Sequence, residues 1–597
     1  MRIEDLTVGV GHNESSVLQS SRAPATIGAA TRSQLSSSIN RRSGLSSPLP
    51  RWLELGQQIQ GEPSDLVVQS VGLDGSEPTL ALPYLETAFR NPTTWDEPRA
   101  FEENVFGTDS AATMEEPLPC LTSDPAFQPH LLSLYFEYVQ PRLPMFRRPQ
   151  FEHDLAAGRV FVGLLNAMLA ISFRYLSRQD LSRFLVDKTP TSSDYADRAR
   201  AQLDAVLSQR GATSLDIVRT ACLLAVFDYF SCPNPRSWMS VSTAIRLAIM
   251  TKLHQTDSPG VATGLSDASK EDCRYLWWTI WKLDTTISSI SMTSFAIDGA
   301  CIGVAVPTSN VEDYTNDMVQ PSALYFLETE SSKCWRAFQD MQSKSLDHAF
   351  NMHLAAVLFL RGVSQCQQRL QTRPSPGLVG EMMSMKNAFS CIRLALPSEF
   401  WNGSKSIDED DYSHRNRLET LIMLYTGHLI INEPPYEQNV ENLCISQDEF
   451  IASWQNSILH AEELAGVLRH WVPEYFARAD PGICSALWHA ACALSLYKMA
   501  GTNKHDPFLA ARVESSLDLL CVSLEKFAKT WGIGRTLQDS LKTLQSWAWL
   551  PLETSRLPKV ILEFRKAINP LAQSPGSVDV SLLCAASVPS TESNLEE

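Results

Sequence analysis

The sequence predicts an all-α fold: one large multi-helix domain between a disordered N-terminal segment and a disordered C-terminal tail. Three observations predict it. Apolar residues recur at helical spacing from about residue 128 onward. Alternating strand patterns are scarce. The apolar content of 44% is enough for a large buried core, while the two ends are rich in serine and poor in apolar periodicity.

Taken in order, residues 1 to about 50 carry runs such as Ser36-Ser37-Ser38 and Ser43-Gly44-Leu45-Ser46-Ser47-Pro48. Such a segment cannot bury enough surface to offset its ordering entropy, so it reads as disordered. One short helix is expected around 51–60. From Trp95 to Phe127 acidic residues dominate, with Trp95, Phe101, Phe106 and Phe127 interleaved and Arg99 as the single base. A tract of this kind folds on a partner as an activation segment, or else serves as a solvated linker with docking aromatics. Residues 1–127 are therefore set apart from a helical body at 128–570 and a tail at 571–597.

Within the body, Val160 to Leu176 is apolar on nearly every side, and its stretch to Phe173 is too short to span a bilayer. Leu215, Val218, Cys222, Ala225 and Tyr229 recur at helical spacing. Trp238 to Leu253 is apolar almost all round and reads as an interior helix. Ser269-Lys270-Glu271-Asp272 resembles a capping box that opens a helix with Leu276, Ile280, Leu283 and Ile287 on one face. Further helices are expected near 345–370, 380–395, 415–432, 450–472, 480–500, 507–530 and 535–547. No internal repeat of fixed period is present.

Composition narrows the function. The net charge of −17 offers no general cationic surface for nucleic acid. The start, Met-Arg-Ile-Glu-Asp-Leu-Thr-Val, has no apolar core of signal-peptide length, which predicts an intracellular protein that contacts no membrane. The 13 cysteines are then expected to be reduced, most of them small core residues. None forms a C-x-x-C pair; the closest two are Cys484 and Cys492, so no zinc site is expected. There is no H-E-x-x-H, G-x-S-x-G or phosphate-binding Walker loop, and Gly9-Val10-Gly11 lacks the third glycine of a dinucleotide loop. No catalytic, cofactor-binding or metal-ligating residue is nominated, and no cofactor is expected.

Four segments together resemble the fungal-specific transcription factor domain, also called the middle homology region. The first is Leu131 to Phe136, then Pro141-Arg142-Leu143-Pro144-Met145-Phe146 and Phe151. The second is Ser214 to Leu224, Trp238, and Ala244-Ile245-Arg246-Leu247-Ala248 to His254. The third is Glu271 to Arg274, Trp277-Trp278 and Leu283-Asp284; the fourth is Leu424-Tyr425 to Glu433-Pro434. The family often carries Asp-Arg where this chain has Asp284-Thr285, and Gly-Arg-Pro where it has Met292-Thr293-Ser294. The six-cysteine zinc cluster usual near the N-terminus of such proteins finds no counterpart, since the first 119 residues contain no cysteine.

Individual residues have plain readings beside functional ones. Buried charges must be paired, so Arg246 or Arg274 is expected to pair with Asp284 and fix helix packing, rather than line a ligand pocket. His254 sits where it can favour a helix C-terminus, with no second metal ligand four residues away. Trp277, Trp278 and Trp281 cannot share one helix face and read as core rather than as a binding platform.

The resemblance implies a transcription regulator in the nucleus, controlling a fungal specialised-metabolite gene cluster. The missing zinc cluster implies that it acts through protein contacts, with other transcription factors or coactivators as partners and promoter DNA reached directly or through them. Homodimers are also compatible, although no sustained heptad run marks a coiled coil. Import on a partner fits the absence of any Lys/Arg run beyond doublets such as Arg41-Arg42, Arg147-Arg148 and Arg565-Lys566. Two alternatives stay open: a sequence-specific DNA-binding factor, using an unrecognised surface or a zinc cluster encoded upstream of Met1, and a helical small-molecule-binding protein or enzyme.

Overall fold

A computed structural model describes residues 125–571, apart from 185–189, 210–213, 262–263, 320–322, 329, 434–446, 500–506 and 547–555. The expected short helix near 51–60, the acidic tract up to residue 124 and the tail from 572 lie outside the described residues. Among the described residues there are twenty α-helices and no strand.

The first half opens with α1 (Phe127–Leu134), which runs on through a π-helical turn at Tyr135–Val139. Phe127, counted with the acidic tract on composition, is fully buried; its ring lies 5.2 Å from Phe184 and 6.3 Å from Phe173. Next come α2 (Arg148–Ala156), α3 (Val162–Ser172), α4 (Arg178–Phe184) and α5 (Ser192–Ser208). Thr191 starts α5 with a reciprocal capping box, its hydroxyl accepting from the Asp194 N–H and the Asp194 carboxylate accepting from the Thr191 N–H. The helices α6 (Leu215–Ser231) and α7 (Pro235–Met250) follow. The five periodic residues of α6 named above are all buried.

Helix α7 corrects an expectation. It buries only one face, through residues such as Val241, Ala244, Ile245 and Ala248, while Met239, Arg246, Ile249 and Met250 are exposed. An apolar composition on all sides does not reveal which sides meet a neighbour.

The axis of the body is α8 (Asp267–Ser291), buried without interruption from Glu271 to Ser291. It begins two residues before the expected capping box. Ser266 is the N-cap and its hydroxyl accepts from the Ser269 N–H at 3.1 Å. Glu271 and Asp272 do not cap; both turn inward. The helix ends at Met292, which holds φ 55°, a left-handed conformation that glycine adopts without a Cβ penalty.

The second half contains α9 (Val311–Thr315), α10 (Trp335–Ser343), α11 (Ala349–Thr372), α12 (Pro376–Ala395), α13 (Ser398–Trp401) and α14 (Asp411–Ile431). It continues with α15 (Gln447–Leu468), α16 (Pro473–Arg478), α17 (Ile483–Met499), α18 (Pro507–Ala528), α19 (Gly532–Ser546) and α20 (Leu557–Arg565). The seven helices expected in this half all form, within a few residues of the expected limits.

Packing is sequential at first: α3 against α5 and α6, then α6 against α7. Helix α8 contacts α6, α7, α11 and α17. Helix α11 packs along α14, α14 along α15 and α17, and α17 along α18 and α19. Helix α19 then returns to α6, so late sequence closes on early sequence around one continuous apolar core.

Candidate functional site: the buried charges of α8 and the clefts beside them

An apolar helix with charges inside it must find partners for them, because a lone buried ion loses its hydration for nothing. Helix α8 carries five such residues, Glu271, Asp272, Arg274, Lys282 and Asp284, all buried. Each is answered by a segment remote in sequence.

Arg274 does not meet Asp284. Its guanidinium donates to Asp257 at 2.5 and 2.9 Å and to Glu271 at 2.9 Å. Glu271 also accepts the N–H groups of Thr308 and Ser309, at 2.7 and 2.8 Å, and Asp257 accepts that of Ala305 at 2.9 Å. Burial still raises the Glu271 carboxyl above its ordinary range, against the pull of Ser309 and Arg274. This cluster fastens the 302–309 segment to α8.

Asp284 pairs instead with Arg361 of α11, at 3.4 Å, and accepts the N–H groups of Ala296 and Ile297 at 3.1 and 3.2 Å. Arg361 also donates to Thr285 Oγ1 at 3.0 Å and to the Ile297 carbonyl. Arg246 is exposed on the far side of α7. The expected partner of Asp284 was therefore wrong in identity and right in kind: an arginine does pair with it and locks α8 to α11 and to the loop after α8.

Lys282 forms the third clamp. It lies 3.0 Å from Asp480 and donates to the Arg142 carbonyl at 3.3 Å. Burial alone would raise Asp480, but Lys282, His353 and the Gly482 N–H outweigh it and hold the carboxyl at about 2. Arg142, in the first motif, donates to the Tyr138 and Ala479 carbonyls and the Tyr175 hydroxyl. Near these groups lies a second pair on α14, Arg415 and Glu419, 3.4 Å apart and each 3% exposed. Burial pushes Glu419 up to about 7 despite Arg415. Asp272 completes the set, meeting Arg147 at 2.9 Å and accepting from Tyr314 at 2.8 Å.

A further buried triad stands away from α8. Glu433, from the fourth motif, accepts from Arg565 at 2.5 and 2.7 Å and contacts His489. It ties α14, α17 and α20 together.

The remaining nominated residues are structural. Trp277, Trp278 and Trp281 are all buried, and Trp278 donates to the Ala305 carbonyl at 2.8 Å. They reach core from several faces because α8 is surrounded. His254 lies in a short 3₁₀ turn after α7, and its ring is 5.9 Å from that of Trp277. Burial followed by Lys252 keeps its pKa below the ordinary histidine range. Its carbonyl accepts the Gly303 N–H at 2.7 Å. The ten described cysteines form no disulfide; six are buried, but Cys232 and Cys301 are exposed and so depart from the core expectation.

Sequence reading missed Lys282, Asp480, Arg361, Arg415, Glu419 and Arg565. Arg361 and Lys282 had a visible signal, since each interrupts an apolar helix. Asp480 had none, because it lies in a short Ala-Asp-Pro-Gly connection.

Two enclosed cavities are small. One, lined by Arg142, Lys282, Thr286, Asp480 and Trp531 among others, is about 20 Å³; the other, beside Glu433 and His489, is also about 20 Å³. Each has room for about one water. A larger cleft of about 350 Å³ opens where α5, α6 and α7 meet. Among the described residues no cluster of three or more His, Cys, Asp or Glu is arranged to hold a metal ion, and no helix is long and apolar enough to cross a membrane. The α8 charges are paired inside the protein, mostly with other segments, so what this arrangement does is fix helix orientation.

The sequence model of the fungal specific transcription factor domain matches residues 132–386. The first three motifs fall inside that match, apart from Leu131 at its edge; the fourth lies beyond it. A relative, sorbicillinoid biosynthetic cluster transcription factor 2 of Penicillium rubens, is 25% identical over 220 residues. The alignment covers 34% of this chain and 31% of the relative, so the likeness spans about a third of the relative's length. Residues 132–386 of this chain are a fungal specific transcription factor domain.

Proposed function

We propose that this chain is a nuclear regulator of transcription and not an enzyme, that its helical body is the regulatory part, and that it serves a specialised-metabolite gene cluster. The match of residues 132–386 to the transcription factor domain carries the reading. The relative's description as a biosynthetic cluster transcription factor supports the cluster. Residues 128–570 act in this reading as one regulatory body. The route to the promoter runs through other transcription factors or coactivators, which the net charge of −17 favours over direct attraction to phosphates.

The test is deletion of the gene with transcript profiling and imaging of a tagged chain. The expected outcome is a fall or rise confined to one contiguous group of biosynthetic genes, with the tagged protein in nuclei. Unchanged transcripts genome-wide would defeat the proposal. Mobility shifts at low salt separate the routes: the protein route expects none, and a salt-sensitive, sequence-selective shift of promoter DNA would replace it with direct binding.

A further inference from the structure

The cleft between α5, α6 and α7 has a composition unlike the two enclosed cavities. Its walls bring together Arg174, Arg200 and Arg236, the hydroxyls of Ser192 and Ser193, and one carboxylate, Asp228. At about 350 Å³ it matches the lower range of small-molecule sites.

The charges are not balanced. Both oxygens of Asp228 are engaged, one by Arg200 and the other by the Ser240 hydroxyl at 2.6 Å. Asp197 is shared between Arg200 and Arg236, the latter at 4.0 Å. Arg174 is left with neutral acceptors alone: the Ser231 hydroxyl and, at 3.4 Å, the Thr530 carbonyl. No carboxylate among the described residues reaches salt-bridge distance of it. Its guanidinium is held between the rings of Phe227 and Trp531, 4.6 and 5.0 Å from their centroids, and its Nε is buried without a partner. Three arginines thus face two carboxylates in a chain that is acidic overall. A partly buried, rigidly held guanidinium without a counter-ion is a poor structural element and a good anion receptor, since its planar fork matches carboxylate and phosphate oxygens.

We infer that this cleft binds a small polar organic anion, gripped at its carboxylate or phosphate group by Arg174 and Arg236 and by the serine hydroxyls of α5. The site is independent of the proposed role in transcription and stands or falls by direct binding.

Calorimetric titration of the purified full chain at constant ionic strength tests it, with citrate and inorganic phosphate as separate probes. Saturable one-to-one binding of either probe is expected, and the tighter of the two identifies the headgroup chemistry. Arg174→Gln should weaken that binding at least tenfold. Because Arg174 also packs between two rings, Ser193→Asp is the second variant. It places a carboxylate in the cleft at the second residue of α5, where an acidic side chain favours the helix, so the fold is kept while binding falls at least tenfold. Arg246→Gln, on the exposed side of α7, should bind as the natural chain does. Absence of saturable binding for both probes, or equal binding by Ser193→Asp and the natural chain, overturns the inference.

Discussion

Replacing Arg565 by methionine isolates what one buried charge contributes. Arg565 is 2% exposed and reaches both oxygens of Glu433, itself 4% exposed at the side chain. Methionine keeps most of the apolar stem and removes the charge. Glu433 is then left buried with the His489 ring as its remaining side-chain partner. Breaking a buried pair in this way costs about 3–5 kcal/mol, more than a hundredfold in the folding equilibrium. Removing both charges, in Arg565→Met with Glu433→Leu, should restore at least half of the loss, because no ion is then stranded. Urea unfolding followed by tryptophan fluorescence reads the effect, since Trp454 and Trp488 line the cavity beside the pair. The pair also sets a pH dependence. Burial alone would raise Glu433, but Arg565 and His489 outweigh it and leave the carboxyl below its ordinary range. A depressed carboxyl pKa contributes stability that is present above about pH 4.5 and is lost as pH falls further; in Arg565→Met that acid loss should shrink. A single variant within about 0.5 kcal/mol of the natural chain, or a double variant as unstable as the sum of two singles, would refute the reasoning.

Three more outcomes follow from the same charges. Glu419 has the opposite sign: with its carboxyl at about 7 in the fold, the folded chain holds a proton that the unfolded chain loses near pH 4.3. Stability should therefore decline by about 4 kcal/mol as pH rises through that interval, and Glu419→Gln should flatten the decline; parallel urea midpoints for both proteins near pH 5 and near pH 8 would contradict this. Arg361→Met strands Asp284 and frees the loop after α8, so amide exchange at Ala296 and Ile297 should accelerate by at least tenfold, and unchanged exchange there would count against the clamp. A fragment ending at residue 386 should be protease-sensitive and lack a cooperative unfolding transition where the chain to residue 571 has one; a cooperative transition in the fragment would overturn the view that the body folds as a unit.

Legibility in the sequence was uneven for a physical reason. Helices showed because periodicity is a local property: α11, α14, α17 and α18 lie close to where their apolar spacing puts them. Caps and pairings did not, because they depend on which neighbour arrives. Ser266, not Ser269, caps α8, so the helix extends nearly a full turn further toward its N-terminus than the sequence suggested. Arg246 and Arg361 are alike in local setting, each an arginine flanked on both sides by apolar residues of a helix. One points to solvent from a helix with a single covered face; the other is enclosed by α8 and its following loop. The immediate neighbours, Ile245 and Leu247 beside one and Leu360 and Gly362 beside the other, do not say which arginine will be enclosed.

The departures from the family pattern carry information once the partners are known. Where the family often places an arginine after the aspartate, this chain has Thr285, and its hydroxyl accepts from Arg361 of α11. The positive charge that Asp284 requires is supplied by Arg361 from another helix. The same logic extends past the end of the matched region. Lys282 needs Asp480, the Arg142 guanidinium needs the Ala479 carbonyl, α6 needs α19, and the Tyr229 hydroxyl reaches the Ile568 carbonyl at 3.2 Å. Each of these contacts joins residues inside 132–386 to residues far beyond it. A sequence match ends where residue-by-residue likeness fades, whereas a folding unit ends where buried charges and apolar faces have all been answered. Among the described residues such contacts run nearly two hundred residues past the end of the match, to Ile568 just after α20.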